Sequence, residues 1–161
     1  MIFVCVGSRE YQFNRLLKKL DELVAEGVIE DKIIAQIGQS QYEPQNYEWH
    51  RFLDRDVFKK YQTDSDLIIS HAGTGALIGA LKLEKQVISV PRLAKFGEHI
   101  DDHQTQISTA LTEEGYLREV LDMDDLAQTI RLCKEEPIIK KYDRPSNIIS
   151  IVEEFLDQIV R

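Results

Sequence analysis

The sequence contains few cysteines and no long hydrophobic run. Of its 161 residues only Cys5 and Cys133 are cysteines, and both stand far apart in apolar surroundings. A secreted fold held by disulfides is therefore not indicated, and we expect reduced thiols and a cytoplasmic chain. No stretch approaches the roughly 20 apolar residues that cross a bilayer. The first residues, MIFVCVGSRE, lack the basic region and the cleavage site of a signal peptide.

Basic residues are also too few for several classes of partner. The chain has 20 Lys and Arg against 28 Asp and Glu, which gives a formal net charge of −8. This balance argues against a general nucleic-acid binder and against a chain that lies by itself on an anionic membrane. A small phosphorylated ligand is not excluded, because backbone amides bind phosphate without basic side chains.

The familiar phosphate-binding loops are missing as well. No GxxxxGK[ST] motif is present, and no GxGxxG follows the first apolar run. Neither an ATPase nor an NAD-dependent dehydrogenase is therefore indicated.

The sequence does contain short apolar runs that alternate with amphipathic segments. The runs predict strands, and segments whose apolar residues recur every three and four positions predict helices. Strands are predicted over 2–6, 32–37, 46–53, 67–70, 87–90 and 116–119, and helices over 13–24, 55–62, 75–85, 101–113, 123–134 and 146–160. Such alternation predicts an α/β fold: one doubly wound, Rossmann-like parallel sheet of about six strands, in a single domain over residues 1–161.

Ligands of such sheets bind beyond the carboxyl ends of the strands, which directs attention to four loops. These loops begin at Gly7, Gly38, Ser70 and Pro91. The third of them, SHAGTG at residues 70–75, opens a predicted helix. Its glycines would let a ligand approach the backbone, and the helix N-terminus would offer unpaired N–H groups. On these residues alone, a phosphate site and a tight turn that needs glycine are both open.

Two patterns that contain histidine also have alternatives. His71 could face the cleft or order its loop through a hydrogen bond. The run DDHQ at residues 101–104 could cap a helix, or it could supply acceptors and donors to a ligand rich in hydroxyls. A metal site built on His99 and His103 is not favoured, because the spacing places no third ligand.

The stretch from residue 70 to residue 104, SHAGTGALIGALKLEKQVISVPRLAKFGEHIDDHQ, resembles the donor-binding region of the glycosyltransferase family 28 C-terminal domain. It is most similar to the small soluble subunits of split bacterial capsule and exopolysaccharide glycosyltransferases. A more distant similarity is to the eukaryotic two-part enzyme that adds the second GlcNAc to dolichol-linked GlcNAc. MIFVCVGSREYQFNRLLKKLDEL and IAQIGQSQYEPQNYEW also resemble the first strand–loop units of these subunits, so the resemblance covers most of residues 1–110.

The resemblance implies one half of an enzyme of the GT-B architecture, in which two Rossmann-like domains face each other across a cleft. This chain would be the donor-binding, catalytic subunit of a hexosyltransferase heteromer that uses a UDP-sugar and needs no metal or other cofactor. A membrane-anchored partner would bring a lipid-linked saccharide acceptor to the inner face of the plasma membrane. The sugar would be transferred with inversion, typically into a β-1,4 linkage, in polysaccharide biosynthesis. The isolated chain could also form a homo-oligomer.

The resemblance also implies roles for particular residues. The pyrophosphate would lie against Gly73, Thr74 and Gly75, the sugar hydroxyls against the DDHQ run, and the uracil and ribose near Gly38–Ser40 and Phe52. The catalytic base would lie on the partner, so no catalytic residue is assigned to this chain. The donor-binding residues implied in this way are Gly7, Ser8, Gly38, Ser40, His71, Gly73, Thr74, Gly75, Glu98, His99, Asp102, His103 and Gln104.

Two positions depart from the family pattern, and one other function stays open. The acidic residue that holds the ribose in related enzymes has its nearest counterpart at Gly79 or Ala80, and Arg9 stands where these subunits often have histidine. The alternative function is a nucleotide-sugar-binding module that regulates or recruits a complete enzyme. A free-standing epimerase-type enzyme is disfavoured, because 161 residues supply only one of the two domains that form the cleft.

Overall fold

The computed structural model describes residues 1–100 and 103–144, and its centre is one parallel sheet of six strands. The strands are β1 (Ile2–Cys5), β2 (Ile33–Gln36), β3 (Glu48–His50), β4 (Leu67–Ser70), β5 (Gln86–Ser89) and β6 (Arg118–Glu119). Their spatial order is β3-β2-β1-β4-β5-β6. This is the strand order of a doubly wound Rossmann-like sheet, so the predicted fold class is confirmed.

Helices in the described part of the chain connect these strands. They are α1 (Asn14–Ala25), α2 (Arg55–Asp64), α3 (Thr74–Lys82), α4 (His103–Glu113) and α5 (Leu126–Glu135), with short 3₁₀ turns at Ala94–Phe96 and Met123–Asp125. None of the helices among the described residues has the length and apolar character needed to cross a membrane. The helix predicted over 146–160 lies outside the described residues.

The helices cover both faces of the sheet and create two apolar cores. α1 and α5 pack on one face, with Leu16 and Leu20 from α1, and α2, α3 and α4 pack on the other. Successive strand residues point to opposite faces, so Val4 belongs to the first core and Phe3 to the second. This two-sided burial explains why the central strands read as continuous apolar runs.

The two cysteines lie in different cores. Cys5 belongs to the core formed by α2, α3 and α4, and Cys133 belongs to the core on the opposite face of the sheet. Both are buried and free, and burial raises the pKa of the Cys5 thiol to about 11. No disulfide joins them, because the sheet separates their side chains.

Some predicted boundaries are too long. The third strand was expected over 46–53, but only Glu48–His50 pairs with β2. The sixth strand is reduced to Arg118 and Glu119, opposite Ile88 and Ser89. In both cases one neighbouring strand sets the length of an edge strand, and local sequence carries little information about that pairing.

The strand order creates a crevice at the centre of the sheet. β1 and β4 are neighbours, with β2 and β3 on one side and β5 and β6 on the other. The chain therefore leaves the carboxyl ends of these two central strands in opposite directions. This is the topological switch point, where open α/β sheets bind their ligands.

Candidate functional site

A cavity of about 380 Å³ opens at this switch point. The loops after β1, β4 and β5 and the start of α4 form its wall. Eight of the thirteen predicted donor-binding residues line it: Gly7, Ser8, His71, Gly73, Thr74, Gly75, His99 and Gln104. Among the described residues, the wall also carries Arg9 and Arg92 and no carboxylate. In a chain with a net charge of −8, the described part of this wall is positively charged, which suits an anion.

The N-terminus of α3 faces into this cavity. α3 begins at Thr74, and the preceding Gly73 has an extended backbone with no side-chain cap on the helix. The first N–H groups of the helix therefore have no intrahelical partner, and the helix dipole adds a partial positive charge. Ala72, just before them, has a φ of 65°, a left-handed conformation that is uncommon for a non-glycine residue. The turn thus directs unpaired donors toward the cavity.

The imidazole of His71 packs between the two glycine loops. Its Nδ1 lies 3.1 Å from the carbonyl oxygen of Cys5. A carbonyl only accepts, so Nδ1 carries the hydrogen and Nε2 is left as an acceptor. A Cβ added at Gly7 or at Gly73 would lie 2.7 or 2.4 Å from Nε2. Only glycine fits at these two positions while the ring stays in place.

His71 is neutral near pH 7. Burial, and to a smaller extent the positive charge of Arg92, lowers the pKa of His71 to about 4. The hydrogen bond to Cys5 opposes this shift but does not reverse it. The neutral ring therefore adds no positive charge to the cavity.

We expect this histidine to make folding stability depend on pH. The ordinary pKa of histidine is near 6.5, and the folded value is about 4, so the unfolded chain binds the proton more tightly. The contribution of His71 is complete above pH 6.5 and is lost as the pH falls to 4, by up to about 3 kcal/mol. Urea unfolding of wild type and His71→Asn at pH 7 and pH 4.5 measures it. The carboxylates cancel in the comparison, and equal pH dependence in the two proteins would contradict this expectation.

Arg92 is a charged residue of the cavity wall to which the sequence analysis assigned no role. It follows Pro91 after β5 and is only 1% exposed. Its Nη2 donates to the carbonyl oxygens of Val6 and Tyr11, and its main-chain N–H donates to Oε1 of Gln104 at 3.3 Å. Its position in one of the four loops was the available signal, but its burial could not be read from the sequence.

The end of the cavity near α4 carries the remaining polar groups. The ring of His99 lies against the ring of Tyr11, with centroids 4.9 Å apart. Gln104 lies in the first turn of α4, held through its side-chain oxygen by the main chain of Arg92. Asp102 and the side chain of His103 lie outside the described residues.

Glu98 lies in a different environment from the one implied by the resemblance. Its carboxylate is fully buried and accepts from Nε and Nη2 of Arg15, each at 3.0 Å. It also accepts from the N–H of Leu93 at 3.0 Å. Because both oxygens are engaged inside the protein, Glu98 orders the loop from 91 to 98 and is not among the described residues of the cavity wall.

Ser40 and Gly38 do not line the cavity but contact the segments next to it. The buried hydroxyl of Ser40 accepts from the N–H of Phe13 at 2.9 Å, just before α1. Gly38 has a φ of 55°, and a Cβ there would lie 2.6 Å from the carbonyl oxygen of Gly7. The loop after β2 thus packs directly on the loop after β1. Phe52 is 49% exposed and does not line the cavity as the described residues form it.

Comparison of the sequence with known families finds one match over nearly the whole chain. The profile described as "Glycosyltransferase family 28 C-terminal domain" matches residues 1–159. The UDP-N-acetylglucosamine transferase subunit ALG13 of Debaryomyces hansenii is 26% identical over 132 residues, which cover 82% of this chain and 57% of that protein. The subunit of the same name from Saccharomyces cerevisiae is 42% identical over 53 residues, 33% of this chain and 24% of that protein. The chain therefore spans less than two thirds of these relatives.

Solved structures with the same fold include two that cover nearly all of this chain. MurG of Acinetobacter baumannii matches with a TM-score of 0.66 and 18% identity, over 96% of this chain and 49% of that one. An NMR solution structure of ALG13 matches with a TM-score of 0.61 and 20% identity, over 96% of this chain and 94% of that one. At these identities the likeness shows the fold.

Proposed function

This chain belongs to the glycosyltransferase family 28 C-terminal domain family, and we propose that residues 1–161 form the donor-binding, catalytic subunit of a two-chain glycosyltransferase. Its sheet has the architecture of the C-terminal half of a GT-B enzyme. The observation that carries the proposal is the cavity at the switch point, where the N-terminus of α3 meets two arginines and no described carboxylate. The pyrophosphate of a UDP-sugar matches this charge.

In the proposed complex, the pyrophosphate lies against the first N–H groups of α3, beside Gly73 and Thr74. The positive end of the helix dipole would stabilise UDP as it leaves with both electrons of the glycosidic bond. Because the helix end and the arginines supply positive charge, the proposal includes no metal ion. The sugar would lie toward Gln104, whose amide can both donate to hydroxyls and accept from them.

The acceptor half of the cleft would come from a second chain. A GT-B enzyme has two domains, and the described structure supplies one of them. The relatives carry the word subunit in their names, which supports a partner. We propose a membrane-anchored partner that holds a lipid-linked saccharide acceptor and the catalytic base, and recruits this chain from the cytoplasm. Transfer of a hexose in capsule or exopolysaccharide synthesis, with a β-1,4 linkage, is the specific form of this proposal. The names of the relatives make UDP-GlcNAc the first donor to test.

Calorimetric titration of the purified chain tests the donor site. We expect saturable binding of UDP and preference for one member of a panel of UDP-GlcNAc, UDP-glucose, UDP-galactose and UDP-glucuronate. Gln104→Ala is expected to remove about tenfold of the affinity for the preferred UDP-sugar but little of that for UDP, because one ligand hydrogen bond is lost.

The matched control is Gln106→Ala. Gln106 lies on the same helix, is exposed and does not line the cavity. This variant is expected to bind like the wild type. A wild-type chain that UDP fails to saturate at millimolar concentration would contradict the proposed donor site. Binding of UDP-sugar without transfer, in the presence of the partner and acceptor, would instead favour a regulatory or recruiting module.

A further inference from the structure

One residue of the cavity wall is a buried cation. Arg92 is 1% exposed, which makes it the largest fully buried side chain in the described structure. Its Nε has no hydrogen-bond partner among the described residues. Arginine is almost never buried this deeply unless its charge has a partner. Burial lowers the pKa of Arg92 only to about 10, so the guanidinium is still charged near pH 7.

Among the described residues, the carboxylate of Glu98 does not compensate this charge fully. Glu98 is close enough to stabilise the charged form of Arg92. Both of its oxygens, however, bond to the guanidinium of Arg15 at 3.0 Å, and its charge is therefore committed. No described residue forms an ion pair with Arg92 within 4.0 Å. The partners that are visible for the side chain are two carbonyl oxygens and the ring of Phe13, 5.4 Å from the guanidinium carbon.

The bonds that Arg92 does make reach the site. Its Nη2 holds the carbonyl oxygens of Val6 and Tyr11, which bracket the loop that carries Gly7, Ser8 and Arg9. Its main-chain N–H holds the side chain of Gln104, in the first turn of α4. One residue therefore connects the β1 loop and the start of α4, and it places a positive charge between them.

We propose that Arg92 is a positioning residue whose buried charge compensates the anionic group of the ligand, while its hydrogen bonds hold the β1 loop against that group. This inference deepens the proposed function and rests on it for the identity of the ligand, but its chemistry requires only an anion in the cavity. The N-terminus of α3 lines the same cavity and attracts the same anion.

Arg9 provides a comparison within the same cavity. It also lines the wall, but its side chain is exposed, so solvent and salt screen its charge. The charge of Arg92 acts through a medium of lower dielectric constant and is screened much less. Removal of Arg92 should therefore weaken anion binding more than removal of Arg9, and its effect should persist at high salt.

The experiment measures the binding of UDP, uridine and inorganic pyrophosphate by calorimetry to the wild type and to Arg92→Met, Arg92→Lys and Arg9→Met. Measurements at 50 mM and 500 mM salt, about 14 Å and 4 Å of Debye length, separate screened from unscreened charge. Thermal unfolding shows whether each variant is folded. Arg92→Lys keeps the charge and loses the geometry of the two carbonyl contacts. It provides a second test of the charge if Arg92→Met does not fold.

We expect Arg92→Met to lose at least about tenfold of its affinity for UDP and for pyrophosphate, with uridine affinity unchanged. Arg92→Lys should stay within about threefold of wild type, and Arg9→Met should show a smaller loss that disappears at 500 mM salt. An equal loss for UDP and uridine in Arg92→Met would overturn the inference, since it would show a structural role alone. A loss of UDP affinity in Arg92→Lys as large as in Arg92→Met would also overturn it.

The pyrophosphate arm separates this inference from the proposed function. If wild type binds pyrophosphate and Arg92→Met does not, while wild type binds UDP no more tightly than pyrophosphate, the inference about Arg92 is supported and the nucleotide-sugar site is contradicted. If wild type binds UDP with saturation and Arg92→Met binds it equally well, the donor site holds and the inference falls. Wild type that binds neither ligand would overturn both.

Discussion

Replacement of Arg15 by methionine is expected to destabilise the fold by about 3–5 kcal/mol. Arg15 forms a bidentate ion pair with Glu98, whose side chain has no exposed surface, and its Nη2 also donates to the carbonyl oxygen of Pro91 at 3.1 Å. Methionine fills a similar volume but leaves the carboxylate buried without its counter-charge. The loss is thus mainly the cost of a charge left uncompensated in a low dielectric medium. Chemical denaturation at pH 7, with the free energy of unfolding as the readout, measures it.

Two further variants show whether burial is the cause. Lys32→Met breaks an ion pair with Glu48 in which the side chains are 63% and 42% exposed, and it should cost less than about 1 kcal/mol. The double variant Arg15→Met, Glu98→Met removes both charges and should recover much of the lost stability, because an apolar pair of similar volume is often neutral. If the double variant loses as much stability as Arg15→Met and Glu98→Met, measured singly, lose together, the ion pair is not the source of the effect.

Replacement of Gly7 by alanine is expected to cost about 2–5 kcal/mol, the second large effect. Gly7 has a φ of 84°, where an L-residue pays about 1–2 kcal/mol. The new Cβ would also lie 2.7 Å from Nε2 of His71, and such overpacking costs about 1–3 kcal/mol. Gly73→Ala isolates the second cause: its φ of −67° suits alanine, but its Cβ would lie 2.4 Å from the same nitrogen.

A double-mutant cycle with His71→Ala distinguishes the two causes. Without the ring, Gly73→Ala should cost close to nothing, while Gly7→Ala should keep only the backbone cost of about 1–2 kcal/mol. Gly75→Ala, in the first turn of α3, is the nearby control, because no atom lies within 4 Å of its added Cβ. Costs that simply add in the double variants would show that the ring does not hold the two loops together. The readout is again the free energy of unfolding.

Whether a feature could be predicted from the sequence depends on how far apart in the chain its interacting residues lie. The strands and helices were predicted from periods of a few residues, and those periods are read within one segment. The edge of the sheet that carries the site followed as well, because parallel strands bring the loops at their carboxyl ends to one edge. Residues that line the cavity through their backbone, such as Gly73 and Thr74, were therefore found by their place after a strand.

The supporting residues were not found in this way. Glu98 resembled a ligand-binding residue, but its partner Arg15 lies 83 positions earlier in the chain. Arg92 reaches the carbonyl oxygen of Val6 across 86 positions. Whether a charged side chain is buried, and what compensates it, depends on contacts of this kind. No local pattern encodes them.

The sequence by itself determined the fold class, the order of the elements along the chain and the loops that could meet at one edge of the sheet. Hydrophobic periodicity and glycine positions express these features locally, through burial of apolar faces and through backbone freedom. Only the tertiary structure decided that His71 is neutral and lies between two glycines. It also decided that Glu98 forms an ion pair with Arg15 and that the buried charge of Arg92 lies in the cavity wall. Protonation and charge compensation depend on the dielectric medium and on neighbours that packing supplies, so they exist only once the chain has folded.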